Sequence, residues 1–213
     1  MKKLTFCAFL CCFFSFTLKG QIKISDLGFS VGFGYALNGR SVPEGVYRLV
    51  YLQGLVRSQI LPVAYRRGIF DAVYLGVEPQ YNLVWIDEKQ ENFEAGLHFI
   101  LQPTFRLSET WKAYFIAGIG PHYFSAVTAS QARGFVFSDA MGLGVEIKLS
   151  PQIAILTNFR IRHLSNANIR MPNLGINTYN FHLAFLWNAK QENRKRYPNN
   201  ICCTKFSYQN KKC

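Results

Sequence analysis

Residues 152–165 read QIAILTNFRIRHLS, and the alternation in this stretch decides the fold. Its odd positions are Ile153, Ile155, Thr157, Phe159, Ile161, His163 and Ser165, while the even ones include Asn158, Arg160 and Arg162. A period of two is the signature of a strand whose side chains point to opposite faces of a sheet. Residues 176–187 repeat it, with Asn177, Tyr179, Phe181, Leu183, Phe185 and Trp187 on one face and Asn180 and His182 on the other. So do residues 134–148, where Asp139 is the exception on a face made by Phe135, Phe137, Met141, Leu143, Val145 and Ile147.

Working outward, eight such segments rich in Val, Ile, Phe and Tyr are expected at 27–36, 46–55, 70–82, 92–106, 111–124, 134–148, 152–165 and 176–187. Polar or Gly/Pro-containing breaks separate them, and no long helical periodicity competes. Two closed all-β architectures can use strands of this kind. A soluble ligand-binding barrel turns the apolar face inward, and a membrane barrel turns it outward around a polar interior. Segments of this length exceed the roughly 9–11 residues that a tilted spanning strand needs, which favours an eight-stranded antiparallel transmembrane barrel of the outer membrane. Arg160, Arg162, Glu146 and Lys148 are then lumen candidates, with Trp111 and Trp187 at one rim and Trp85 at the other.

The connections 107–110 and 149–151 are tight, whereas 37–45, 83–91, 125–133 and 166–175 are longer. That asymmetry matches short periplasmic turns and long outer loops. The connection 57–68 is long on the turn side and does not fit it.

The ends read differently from the body. Lys2 and Lys3, an apolar block over 4–18 and Gly20 form a secretory signal peptide over residues 1–20, with an uncleaved anchor helix as the alternative. The tail 188–213 is basic, lacks alternation and carries Cys202, Cys203 and Cys213, so it is expected to be disordered and outside the barrel domain of residues 21–187. The net charge of +12 sits mostly at these ends, in three lysines of the leader and seven basic residues against Glu192 in the tail. A nearly balanced body argues against nucleic acid as a partner. The cysteine spacing matches no metal site, and neither metal nor cofactor is expected.

Two motifs remain. Gly28-Phe29-Ser30-Val31-Gly32 matches G-x-S-x-G, but the strand continues through Phe33 and Tyr35 where a hydrolase elbow needs a turn and a helix. His163, Ser165 and Asn177 are different. They fall on the apolar face at the outer ends of two strands joined by a hairpin, so a hydroxyl, an imidazole and an amide can line up. Interfacial polar residues at a strand end are the plainer reading of the same spacing.

His163-Leu164-Ser165-Asn166-Ala167, followed by Pro172-Asn173 and Gly175, resembles the signature of the PagL-type lipid A 3-O-deacylases. The resemblance implies an eight-stranded outer-membrane barrel that removes an ester-linked 3-hydroxyacyl chain from lipid A of lipopolysaccharide in the outer leaflet. It implies Ser165 as nucleophile, His163 as general base, and Asn166 and Asn168 at the oxyanion. Arg170 in the loop is a candidate for the substrate phosphates. Asn177 falls where the family has its acid, and Asn168 where a glycine is usual; an amide orients a histidine without supplying charge. A catalytically silent structural or ligand-binding barrel is the alternative, and both a monomer and a homodimer fit. Glu44, Glu78, Glu88, Glu91 and Glu94 have no assigned place.

Overall fold

The computed structural model describes residues 23–36, 46–61, 69–86 and 89–188. The expected signal peptide and the tail beyond Asn188 lie outside the described residues. Eight antiparallel strands follow one another: β1 (Asp26–Ala36), β2 (Tyr47–Gln59), β3 (Phe70–Ile86), β4 (Lys89–Arg106), β5 (Trp111–Phe124), β6 (Gly134–Lys148), β7 (Ile153–Ser165) and β8 (Ile176–Asn188). Each pairs with the next, and β1 pairs with β8 from Asp26 opposite Asn188 to Ala36 opposite Thr178, so the barrel closes with no free edge.

The apolar face points outward. Phe29, Phe33, Phe99, Met141, Leu143, Phe159, Ile161, Phe181 and Leu183 are exposed, while Ser30, Gln53, Glu78, Gln80, Glu94, His98, His122, Arg160, Arg162, Asn180 and His182 are buried. This inside-out distribution is that of a barrel whose solvent is lipid, and it rules out the soluble ligand-binding alternative. The protein is an integral outer-membrane barrel. Trp111 and Trp187 lie exposed at the end of the short turns, with Trp85 at the opposite end of β3.

Charges inside this barrel are paired across it. Arg160 forms a two-pronged ion pair with Glu78 at 2.7 and 2.8 Å, and Arg162 reaches Glu94 at 2.5 Å. Arg57 bridges Asp26 at 2.6 Å and Glu146 at 2.8 Å. Planar guanidinium forks satisfy carboxylates that would be very costly to bury alone. Above these pairs Tyr47, Tyr51, Phe124, Val136, Leu164 and Ile176 pack together, and Leu55, Tyr114, Ile116, Leu156 and Leu186 do the same between the Arg160 pair and the Arg57 cluster.

Several expectations are corrected here. β2 runs to Gln59 rather than ending at residue 55, because Arg57, which reads as loop, is a buried lumen residue. β3 and β4 extend to Ile86 and back to Lys89, which shrinks the 83–91 connection to a two-residue gap. The connection 57–68 is shortened correspondingly, and its residues 62–68 lie outside the described residues. Lys148 is exposed at the end of β6 instead of lining the lumen, since that end reaches water. Ser30 is a buried lumen residue in the middle of β1, and the strand continues past it to Ala36. On the same strand, a Cβ at Gly32 would lie 2.8 Å from the His182 ring, so the glycine makes room in a narrow interior.

Candidate active site

The ends of β7 and β8 are fixed from the inside. Leu164 and Ile176 lie opposite one another, each 1% exposed, in the apolar cluster that caps the lumen. Burying such a side chain contributes about 1.5–3 kcal/mol, and a one-residue slip would turn both of them to the outside. With those two inward, their neighbours His163, Ser165 and Asn177 must face outward.

His163 pairs directly with Asn177, and its Nδ1 lies 2.8 Å from the Asn177 Oδ1. An amide oxygen only accepts, so the Nδ1–H donates and Nε2 is left as the basic nitrogen. Continuing the register by one residue puts Gly175 opposite Ser165. Gly175 has φ +77°, and a Cβ there would stand 2.3 Å from the His163 Cε1 and 2.9 Å from its Nε2. The imidazole therefore lies over the one cross-strand position that has no side chain, with its basic edge at the level of Ser165. Among the described residues no hydrogen bond joins Ser165 Oγ to His163.

The loop that follows is a built frame. Ile169 N–H donates to the Asn166 carbonyl at 3.0 Å, with Ala167 at φ 53° and Asn168 at φ 63° between them. Two consecutive left-handed residues make a tight turn that favours Gly or Asn, which accounts for Asn168 where a glycine is usual. Ala167 in that conformation is a strained position two residues after the serine. Neither the Ala167 nor the Asn168 backbone N–H has an acceptor among the described residues.

The side-chain amides of the two asparagines expected at the oxyanion are engaged within the loop, which leaves the backbone of Asn168 as the donor of that pair. Asn166 Nδ2 donates to the Arg170 carbonyl at 2.6 Å, and Asn168 Oδ1 accepts from Asn173 Nδ2 at 3.0 Å. Asn173 Oδ1 also receives the Asn166 backbone N–H at 2.7 Å. Arg170 is exposed on the same loop. A second loop, residues 125–133, supports this one: Ala132 N–H donates to Pro172 O at 2.9 Å and Leu174 N–H to Ser130 O at 2.7 Å. The supporting loop carries no period or motif of its own and sequence reasoning gave it no role, while Asn173, part of the quoted signature, had no role assigned to it.

The acidic residues now have places. Glu78 and Glu94 are locked to Arg160 and Arg162 in the lumen, on the far face of the sheet from His163. Glu44 and Glu88, and the Glu91 side chain, lie outside the described residues. Asp139, the odd residue on the outer face of β6, stands directly opposite His163 and is exposed.

The fold is shared with solved outer-membrane proteins. The crystal structure of the outer membrane enzyme PagL is 17% identical, with 75% of this chain and 98% of that one covered and a TM-score of 0.55. Neisserial surface protein A is 9% identical over 76% of this chain and 96% of its own, with a TM-score of 0.57. At these identities the likeness concerns the barrel alone. No curated protein matches the chain significantly in sequence. The model of one family does match, over residues 65–185, more than half of the chain and including the whole of the His163 to Asn177 segment; by that match this protein belongs to the lipid A 3-O-deacylase (PagL) family.

Proposed function

We propose that this protein is an outer-membrane esterase that releases the 3-hydroxyacyl chain from lipid A, with Ser165 as nucleophile and His163 as general base. The observation that carries the reading is the Nδ1–H hydrogen bond to Asn177, which turns Nε2 over Gly175, the residue just before β8, toward the level of Ser165. Ser165 Oγ attacks the ester carbonyl as its proton passes to Nε2, and the same proton then goes to the leaving sugar oxygen. Water, deprotonated by His163, attacks the acyl-serine and releases the free acid. Contacts of this kind in unliganded sites commonly tighten when substrate binds, which is the role left for the Ser165 to His163 approach.

The N–H groups of the strained turn, Ala167 and Asn168, are the donors assigned to the oxyanion, with the Asn166 amide holding the turn in shape. The scissile ester reaches the site from the outer leaflet, and the acyl chain runs down the exposed wall of Ile161, Phe159 and Met141. Arg170 is assigned to the phosphate groups at the level of the lipid headgroups. Lipopolysaccharide is thus both substrate and surrounding solvent.

The test is release of free 3-hydroxy fatty acid from lipid A by the purified protein in detergent, measured by mass spectrometry. Ser165→Ala and His163→Ala are expected to abolish release, and full release by either variant refutes the roles. A second reading, a catalytically silent barrel, is favoured by the neutral Asn177 in the acid position. It predicts no release above the rate of Ser165→Ala under any condition.

A further inference from the structure

We propose that Asp139 is the acidic partner of His163, supplying from β6 the negative charge that Asn177 cannot supply from β8. The proposal rests on the reading of His163 and Ser165 given above. Its first support is register. His163 pairs with Asn177 on one side and Asp139 on the other, so a single outward row across three strands reads Asp139, His163, Asn177. Directly opposed residues of an antiparallel pair have Cα atoms about 4.5–5.5 Å apart, within reach of an aspartate acting through space.

The second support is cost. Asp139 is exposed on the face that carries Phe135, Met141 and Leu143, and among the described residues it has neither an ion pair nor a hydrogen bond. A carboxylate on the lipid-facing side of a barrel is unfavourable unless it serves a purpose. The other described carboxylates of the strands that reach this height, Glu78 and Glu94, are held in the lumen by arginines. Asp139 is the one described carboxylate that shares a face with His163.

The chemistry divides a task that one residue usually performs. A triad acid both fixes the histidine tautomer and stabilises the imidazolium that forms when the base takes the serine proton. Here Asn177 fixes the tautomer through its 2.8 Å hydrogen bond, and Asp139 stabilises the cation from the opposite flank. Low-polarity surroundings beside the bilayer strengthen the second interaction. Asp139 is a positioning residue in this scheme, since it touches neither the substrate nor the proton in transit.

The groups facing His163 are Asp139 from β6, Asn177 and Tyr179 from β8, and Ser165 on its own strand, with Arg133 and Arg170 in the loops above. Removing the carboxylate leaves only neutral or cationic neighbours, so the imidazolium becomes less favourable.

The experiment measures kcat and KM on lipid A for the wild type, Asp139→Asn, Asp139→Glu, Ser165→Ala and the double variant Asp139→Asn with Asn177→Asp. Heat-modifiable electrophoretic mobility checks that each barrel is folded. Because Asn177 still holds the tautomer, Asp139→Asn should lose about tenfold in kcat. KM should stay unchanged, so the loss should appear in kcat alone. Asp139→Glu should retain most activity, and the double variant should recover it, since a carboxylate is back beside the ring. An unchanged kcat in Asp139→Asn, a change in KM alone, or a failure of Asp139→Glu to retain activity overturns the proposal while Ser165→Ala remains inactive. Activity in Ser165→Ala overturns the underlying reading and the proposal together.

Discussion

Gly175→Ala is the substitution whose effect the structure specifies most closely. The added methyl would stand 2.3 Å from the His163 Cε1, whereas ordinary contacts of a Cβ begin at 3.4 Å. The ring must therefore retreat by about 1 Å, and in doing so it strains the 2.8 Å bond to Asn177. A displacement of about 1 Å in a catalytic group can cost about 100-fold, or about 2.7 kcal/mol of transition-state stabilisation. A separate penalty of about 1–2 kcal/mol comes from placing an L-residue at φ +77°. That second cost falls on stability, so the two must be separated.

Gly134→Ala does so, because Gly134 has φ +123° and nothing lies within 4 Å of the point where its new methyl would stand. Both variants should unfold at lower denaturant concentration in detergent, followed by tryptophan fluorescence. Only Gly175→Ala should lose kcat, by about 100-fold, in the fatty-acid release assay. A folded Gly175→Ala protein whose turnover stays within about threefold of wild type would refute the placement of the imidazole over this glycine.

Three further outcomes are expected. Asn177→Ala removes one hydrogen bond worth about 0.5–1.5 kcal/mol and should lower kcat about three- to tenfold, with the folded barrel unaffected by gel mobility. Asn173→Ala takes away the acceptor of the Asn166 N–H and the donor to Asn168, so kcat should fall about tenfold or more while KM changes less; equal kcat would show that the turn holds itself. Glu78→Ala leaves Arg160 buried without its carboxylate and should destabilise the barrel by about 3–5 kcal/mol, whereas Glu78→Met with Arg160→Met costs much less. Turnover per folded molecule should be normal in both, because Glu78 lies in the lumen and not beside His163.

Outwardness of the site is the part of the structure most nearly written in the chain. Ile153 to Ser165 alternates strictly enough to put Phe159, Ile161, His163 and Ser165 on one face, and a period of two survives in any sheet the strand joins. What misled was polarity at strand ends. Arg57 reads as a loop residue because charge is scarce in strands of soluble proteins, yet in a closed barrel with a polar interior it is a core residue, paired with Asp26 and Glu146. The same ambiguity hid the polar start of β4 at Lys89, though not the apolar end of β3 at Leu83 to Ile86.

The sequence by itself determined eight alternating strands, a lipid-facing apolar surface and a His163, Ser165, Asn177 constellation at the outer end of the last hairpin, because alternation and hairpin spacing are local properties. Only the tertiary structure decided which residues stand beside that constellation. The pairing of β6 with β7 brings Asp139 opposite His163, the cross-barrel arginines take Glu78 and Glu94 out of contention, and the loop 125–133 props the turn after Ser165. Those neighbours are separated from the site by tens of residues in sequence, and their register is set by the packing of Leu164, Ile176 and the lumen side chains, which no local pattern encodes.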